Sequence, residues 1–406
     1  MGPRFRGDDD KMLRGRIVTL FDDWRARSPY YDDTHSAVAG SVRRFVAAEV
    51  APNIDAWEDA RSLPRELHRK AAAAGIIGLG YPEEYGGHSD GFDIFHSLTQ
   101  SEELASCGAG GLTASLMTHG IGLPPILALG SDEMKHRIAP EVLSGDKIIA
   151  LGISEAGGGS DVAALTTRAE KAGNKYVVNG GKMFITSGMR ADYVTVAVRT
   201  GGPGMGGISL MLIEAGMPGF TRTPLEKMGW HCSDTAALYF DNVEVPPENM
   251  IGPENAGFAG IMRNFNGERL GMAHSCCAFA RVCLTEAVEW ATTRETFGKK
   301  LAAHQSIRIK LADMARQINA TQAWVDLCAW QVKTGKGLPA DFAMLKVQAT
   351  RMLESVAREA CQVLGGASYL KGSKVERIYR EVRVNAIGGG SEEIMLDLAG
   401  RQLGYR

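Results

Sequence analysis

Residues 152–161 have the sequence Gly152-Ile153-Ser154-Glu155-Ala156-Gly157-Gly158-Gly159-Ser160-Asp161. Three adjacent glycines let the backbone approach a bulky ligand closely, and their N–H groups can point at anionic or carbonyl oxygens. The segment follows an apolar run at 148–151 and lacks the Gly-x-Gly-x-x-Gly spacing of a dinucleotide fingerprint. It therefore predicts a ligand loop of unspecified type, with an ordinary glycine-rich turn as the alternative.

Further motifs follow downstream in a fixed order: Lys182-Met183-Phe184-Ile185-Thr186-Ser187-Gly188, Arg294-Glu295-Thr296-Phe297-Gly298-Lys299, His304-Gln305, Gln362-Val363-Leu364-Gly365-Gly366-Ala367 and Glu376-Arg377-Ile378-Tyr379-Arg380-Glu381. Together with the glycine-rich segment, this series resembles the acyl-CoA dehydrogenase family. The resemblance extends from about residue 36 to the end of the chain. Because several separated motifs agree in order, they are far more specific together than any one of them alone.

The periodicity of apolar residues divides the chain into three parts. Helical spacing is evident up to residue 147, as in Val38, Val42, Phe45 and Val46, and one helix is predicted over about 110–128. A period of two follows, with strands predicted at 192–198, 208–213 and 237–243 and a hairpin at 179–181. Helical spacing returns after Pro253 and persists to the C-terminus, which predicts an antiparallel helical bundle. One apolar stripe of that bundle is predicted at Ile307, Leu311, Met314 and Ile318.

We therefore expect an α+β protein with domains at 12–147 (N-terminal, α-helical), 148–253 (middle, β-sandwich or barrel) and 254–406 (C-terminal, four-helix bundle). This order matches the architecture that the family resemblance implies. Residues 1–11 resemble part of a protease-cleavable tag and are excluded from the fold prediction. The absence of a targeting peptide after Met12 predicts a cytoplasmic protein, of bacterial origin.

Composition excludes several classes of function. The chain has 406 residues, 45% hydrophobic and 23% charged, which is typical of a globular protein. A net charge of −2 gives no electrostatic footprint for nucleic acid. No apolar run approaches the length that spans a bilayer. The seven scattered cysteines have no metal-site spacing and form no disulfide framework, so we expect buried free thiols.

The resemblance implies that the protein removes two hydrogens from the α- and β-carbons of an acyl-CoA thioester. A base must take the α-proton, and the thioester carbonyl must be polarised. Since no side chain accepts a hydride, a cofactor is required. The family implies FAD, an electron-transferring flavoprotein as the partner that re-oxidises it, and a homotetramer built through the bundle.

The FAD contacts that the resemblance implies fall into three segments. Leu151, Ile153 and Ser154 match the strand at the pyrimidine side of the flavin, and Phe184 stands where the family often has tryptophan. Thr186 with Ser187 matches a hydroxyl contact near the reactive nitrogen of the flavin. Arg294 and Gln305 match contacts to FAD from a neighbouring subunit. A further FAD segment is matched by Gln362, Gly365 and Gly366, and the terminal cofactor-contact segment by Ser391 and Glu393.

The catalytic base departs from the common family pattern. Many members place it in a Tyr-Glu-Gly-Thr sequence, but the matching residues here are Gly388-Gly389-Gly390-Ser391. Gly389 cannot take a proton, although its N–H could bond the thioester oxygen. The isovaleryl-CoA dehydrogenase and long-chain branch carries a glutamate where this chain has Glu268, which we therefore predict to be the base. Glu392 and Glu393 are alternatives for the base only if the loop around Gly389 is shifted in register, so that one of these glutamates faces the substrate.

Contacts to the CoA moiety are predicted from the resemblance at Ser160, Phe265, Asn266, Arg269 and Arg401. Each could equally be a structural polar or packing residue. Two other functions are considered: a flavin monooxygenase or oxidase on the same fold, and a non-catalytic acyl-CoA-binding relative. Glu268 argues against the first, whereas Gly389 alone supports the second.

Overall fold

A computed structural model describes residues 21–405, apart from the side chains of Arg263, Asn264 and Asn266. The predicted tag at residues 1–11 and the side chain of Asn266 therefore lie outside the described residues. Helices precede residue 147, strands occupy the middle of the chain, and long helices follow.

The N-terminal part is helical, as predicted. It contains α1 Asp22–Arg25, α2 Asp33–Phe45, α3 Ile54–Ala60, α4 Glu66–Ala73, α5 Ile94–Ala105, α6 Gly110–Leu116, α7 His119–Gly122, α8 Pro124–Leu129 and α9 Asp132–Leu143. The side chains of Asp32 and Asp93 accept backbone N–H bonds at the first turns of α2 and α5. Such N-caps satisfy donors that have no partner within the helix, which fixes where each helix begins.

The sequence predicted one helix over 110–128, and this expectation is wrong. The segment is divided into α6, α7 and α8. Pro124 begins α8, where its missing N–H and its ring end the preceding helix. A β-carbon on Gly122 would lie 3.0 Å from the carbonyl oxygen of Ala150, so the chain turns where it approaches the first strand.

The middle part contains β1 Ile149–Gly152, β2 Arg168–Ala172, β3 Lys175–Thr186, β4 Tyr193–Arg199, β5 Ile208–Glu214, β6 Phe220–Pro224, β7 Thr235–Val245 and β8 Met250–Ile251. Seven of these pair in the order β6-β7-β3-β2-β4-β5-β8, and β1 pairs with β4. Only Arg168 and Arg199 pair β2 with β4, so this single pair joins the two halves of the sheet. Both halves contribute to one apolar core, which includes Val178, Val194 and Leu238.

The predicted hairpin at 179–181 is wrong. Residues 175–186 form the single strand β3, and β7 pairs along most of its length. Gly180, with φ of 136°, lies at a shift in register, so the glycines mark a bulge and not a turn. The actual turn is Gly173-Asn174, between the paired residues Ala172 and Lys175.

Strand β4 is buried on both faces. Val194, Val196 and Val198 face the core between the sheet halves, whereas Tyr193 and Ala197 pack against the N-terminal helices. Because successive side chains of a strand point to opposite faces, a continuous apolar strand joins the two domains.

The C-terminal part contains α10 Gly257–Thr293, α11 Gln305–Lys333, α12 Pro339–Leu364, α13 Lys374–Ile387 and α14 Glu392–Gln402, with a small hairpin of β9 Glu295–Thr296 and β10 Lys299–Lys300. The predicted stripe along α11 is confirmed, since Met314 and Ile318 lie in the bundle core and Ile307 and Leu311 pack against it.

All seven cysteines are free. No single described helix is long and apolar enough to cross a membrane; only the bent pair Gly110–Leu116 and His119–Leu129 meets that test, by length and composition alone.

Candidate active site

One face of α10 carries the residues that the sequence singled out for proton transfer. Glu268 and Arg269 lie three and four residues after Phe265, and Met272 lies four and three residues after them, so the four side chains share a face of the helix. The guanidinium of Arg269 lies 5.7 Å from the centre of the Phe265 ring. Glu268 is half-buried, and its charge opposes the lowering of the Arg269 pKa that burial causes.

This face meets the three glycines 388–390, here called the glycine loop, which lie between α13 and α14. Gly389 and Gly390 have φ of 69° and 107°, values that L-residues with side chains rarely adopt. The methyl group of Met272 lies 3.4 Å from the point where a β-carbon on Gly389 would stand, and 3.7 Å from the same point on Gly388. Glu268 precedes Met272 by four residues, so it lies on the face of α10 that turns toward this loop.

Two cationic side chains hold the carbonyls of the loop. Arg269 Nε donates to the carbonyl oxygen of Gly389 at 3.4 Å, and Lys346 Nζ donates to that of Gly390 at 2.7 Å. Burial lowers the pKa of Lys346 to about 8. Among residues 21–405, nothing accepts a hydrogen bond from the N–H of Gly389. That N–H is therefore available to a ligand oxygen.

The glycine-rich segment at residues 152–161 is fixed by a buried ion pair. Lys182 Nζ donates to Glu155 Oε1 at 2.7 Å and to the carbonyl oxygen of Ile153 at 3.1 Å. Glu155 also accepts bonds from Thr166 and Thr167. Burial alone would raise the pKa of Glu155, but Lys182 and these threonines hold it at about 2. Residues 156–160 are left exposed beyond this anchor.

Strand β3 presents an aromatic side chain next to that segment. The N–H of Met183 donates to the carbonyl oxygen of Ser154 at 2.8 Å, which joins β3 to the end of β1. The following residue, Phe184, has φ of 64° and is 69% exposed. It lies at a shift in register between β3 and β7, and such a bulge redirects a side chain. Thr186 is half-buried, whereas Ser187 is buried with its hydroxyl 3.0 Å from that of Ser115.

Most of the other predicted residues lie at the surface. On the bundle, exposed side chains or glycines occur at Arg294, Gln305, Gln362, Gly365 and Gly366. Ser391 caps α14 by accepting the N–H of Ile394, and Glu393 is exposed. Arg401 pairs with Asp397 at 2.8 Å on α14, and Ser160 is exposed in the loop after β1. A hydrogen bond thus joins Arg269 to Gly389, and Glu268 precedes Arg269 on α10.

Neither Lys346 nor Met272 was predicted from the sequence to belong to the site. Lys346 had a detectable signal, because Ala343, Val347 and Thr350 at helical spacing around it are buried. A lysine within such a stripe is costly to bury and needs an acceptor. The acceptor is a backbone carbonyl 44 residues away, which no sequence pattern indicates.

Known protein families match the N-terminal, middle and C-terminal parts of the chain separately. Sequence profiles of the acyl-CoA dehydrogenase N-terminal, middle and C-terminal domains match residues 32–146, 150–243 and 255–404. The chain belongs to the acyl-CoA dehydrogenase family. The expected fold, activity and cofactor are confirmed with it: the protein is a flavin-dependent oxidoreductase that acts on acyl-CoA and uses FAD.

Individual family members resemble the chain over nearly its whole length. The crystal structure of a probable acyl-CoA dehydrogenase from Mycobacterium abscessus is 45% identical, with a TM-score of 0.90, covering 92% of this chain and 100% of the other. An acyl-CoA dehydrogenase of Alternaria alternata is 37% identical over 91% of each chain. The mitochondrial long-chain specific acyl-CoA dehydrogenase of Sus scrofa is 34% identical over 92% of this chain and 87% of its own.

The residues present fit a flavin cofactor. Phe184 offers an exposed aromatic face, and the Thr186 hydroxyl lies two residues further along the same strand. β-carbons on Gly365 and Gly366 would meet no other atom within 4 Å, so the backbone there is open to a close contact. These features are the aromatic, hydroxyl and backbone groups that bind a ring system with a polar edge and a diphosphate.

Proposed function

We propose that Glu268 removes the α-proton of the acyl-CoA and that the N–H of Gly389 binds the thioester oxygen. The observation that supports the proposal is the shared face of α10, from which Arg269 donates a hydrogen bond to the glycine loop and on which the Met272 methyl group lies beside that loop. Glu268 lies on that face and so can reach a substrate held at the loop. Gly389 itself has no side chain to take a proton.

The two groups have complementary roles. Loss of the α-proton moves negative charge onto the thioester oxygen, and a fixed N–H donor aimed at that oxygen stabilises the charge. A positioned carboxylate typically accelerates proton removal by ~10²- to 10⁴-fold. When bound, FAD supplies the acceptor for the hydride from the β-carbon. Glu268 therefore needs only to remove the proton and hold it while the double bond forms.

The FAD contacts are proposed for the residues that the sequence indicated. The backbone of Leu151 and Ile153, with Ser154, Phe184, Thr186 and Ser187, would form the side of the site built on the β domain. Exposed groups on the bundle would hold the FAD of a neighbouring subunit in a homotetramer: Arg294, Gln305, Gln362, Gly365 and Gly366. Ser391 and Glu393 would complete the site at the start of α14.

Contacts to CoA are proposed for Ser160, Phe265, Asn266, Arg269 and Arg401. Phe265 and Arg269 have the most direct support, since both lie on the face of α10 that carries Glu268. Gly388 and Gly389 remove bulk next to that face, which would leave room for a branched or longer acyl group. An electron-transferring flavoprotein is the proposed re-oxidant, as the family resemblance implies.

Mixing the purified yellow protein with a series of straight and branched acyl-CoAs in the absence of oxygen tests this function. Loss of the visible absorption of the flavin, with formation of the trans-2-enoyl-CoA, is the expected result. A flavin that no acyl-CoA reduces would contradict the proposal. Reduced flavin that air re-oxidises rapidly, without an electron-transferring flavoprotein, would indicate an oxidase or monooxygenase instead.

A further inference from the structure

Lys346 is a buried cation in the middle of α12. Its residue is 0% exposed, and among the described residues no carboxylate forms an ion pair with it. Glu392 supplies negative charge nearby but pairs directly with Arg351 at 2.8 Å. Burying an ammonium group without a carboxylate is unfavourable, so a lysine at this position requires a specific function for its amino group.

Among the described residues, the amino group has one hydrogen bond, and its acceptor lies on the glycine loop. Lys346 Nζ donates to the carbonyl oxygen of Gly390 at 2.7 Å, while Arg269 holds the preceding carbonyl, that of Gly389. Glycine has more backbone freedom than any other residue, and three in succession would otherwise sample many conformations. Because buried cations hold the carbonyls of both Gly389 and Gly390, the orientations of the two peptide groups that follow Gly389 are restricted.

We infer that Lys346 is a positioning residue, which holds the glycine loop so that the N–H of Gly389 is aimed at the thioester oxygen. This inference rests on the proposed function. Lys346 contacts neither the thioester nor the proposed base; it acts through the peptide units of Gly389 and Gly390. In a loop with no side chains of its own, the neighbouring helix α12 supplies the rigidity that an oxyanion donor needs.

The charge of Lys346 adds a second effect. Together with Arg269 it places two positive charges beside the loop whose N–H would bind the thioester oxygen, and these charges favour the negative charge that develops on that oxygen in a region of reduced solvent access. Burial lowers the pKa of Lys346 to about 8, and Arg269 and Arg383 act in the same direction, whereas Cys276 and Glu392 oppose it. Lys346 is therefore charged below pH ~8 and neutral above it, which weakens its hold on the loop at alkaline pH.

The test compares Lys346→Met and Lys346→Arg with the parent and with Lys171→Met, which removes an exposed lysine from β2. FAD content and the thermal unfolding temperature report folding. The limiting rate of flavin reduction and the half-saturating acyl-CoA concentration separate catalysis from binding. A 3-thia-acyl-CoA, whose sulfur replaces the β-carbon, gives an independent readout: it can lose its α-proton but transfers no hydride, and its anion gives a long-wavelength band beside the flavin.

We expect Lys346→Met to retain FAD, to reduce the limiting rate by ~10-fold or more with little change in half-saturation, and to weaken the long-wavelength band. Lys171→Met should match the parent. The parent rate should fall as pH rises through ~8, and Lys346→Arg, which stays charged, should lose that decline. An undiminished band and rate in Lys346→Met would overturn the inference.

If Lys346→Met does not fold, Lys346→Arg becomes the deciding variant. A rate of flavin reduction that still falls at alkaline pH in Lys346→Arg, as it does in the parent, would overturn the inference. A parent protein that no acyl-CoA reduces would instead contradict the proposed function. A parent that is reduced normally, with a Lys346→Met variant that behaves identically, would contradict only the role of Lys346.

Discussion

The terminal methyl group of Met272 lies 3.4 Å from the point at which Gly389 would carry a β-carbon. This proximity places α10 beside the loop where many family members carry their base. It also means that the space beside Gly389 is bounded by the helix that carries Glu268.

Gly389→Ala should destabilise the protein without removing the catalytic N–H. The left-handed conformation of Gly389 costs a residue with a β-carbon about 1–2 kcal/mol, while the contact with Met272 is of ordinary length. The expected result is a lower thermal unfolding temperature with FAD retained. Gly271→Ala is the control, because Gly271 lies inside α10 with open space around it, and alanine there should stabilise the helix by about 0.5–1 kcal/mol. Equal stability of Gly389→Ala and the parent would show that the loop is not held in this conformation.

Glu381 should make stability fall with rising pH. Burial and the charge of Glu58 raise its pKa to about 8, and this outweighs the N–H groups of Gly110 and Trp230 that donate to its carboxylate. Since this pKa is raised in the folded state, the stabilisation is complete below about pH 4.5 and is lost as pH rises through 8. The loss should be on the order of a few kcal/mol.

The measurement is thermal unfolding at pH 6 and pH 9 for the parent, Glu381→Gln and the exposed-site control Glu289→Gln. The parent and the control should lose stability between the two pH values, and Glu381→Gln should lose less. An identical decline in all three proteins would show that Glu381 titrates like an exposed carboxyl group.

Lys182→Met should release the glycine-rich segment. Removing one partner of a buried ion pair leaves the other charge uncompensated, at a cost of about 3–5 kcal/mol. Glu155 would then lose its bond at 2.7 Å while remaining buried. We expect loss of bound FAD and a lower unfolding temperature, measured by absorbance and calorimetry. The double variant Lys182→Met/Glu155→Gln should recover part of the stability, and a double variant no better than the single one would contradict the ion-pair explanation.

The order of domains could be predicted because it depends on local periodicity. The change from helical spacing to alternation and back is encoded in neighbouring residues, and the apolar stripe of α11 followed the same rule. The bulge at Gly180 could not be distinguished from a turn, since both use glycine, and pairing with β7 decides between them. The breaks in 110–128 depend on the approach of Gly122 to Ala150.

The candidate site was predictable only in part. Glu268 and Gly389 were identified by resemblance, although 120 residues separate Arg269 from the loop carbonyl that it contacts. Lys346 was missed because its role depends on a backbone acceptor, which carries no sequence signal. Motifs therefore indicated the residues that are proposed to act on the substrate, whereas the groups that contact the glycine loop became evident only from the fold.

Glu268→Gln tests the central proposal most directly, by anaerobic mixing with acyl-CoA and recording of the flavin absorbance. The variant should fold, stay yellow and bind acyl-CoA, while flavin reduction slows by at least ~100-fold, because glutamine cannot accept the α-proton. Adding Gly389→Glu should restore part of the rate, within the limit set by the backbone conformation at that position. A Glu268→Gln variant that reduces its flavin as fast as the parent would show that another group removes the proton.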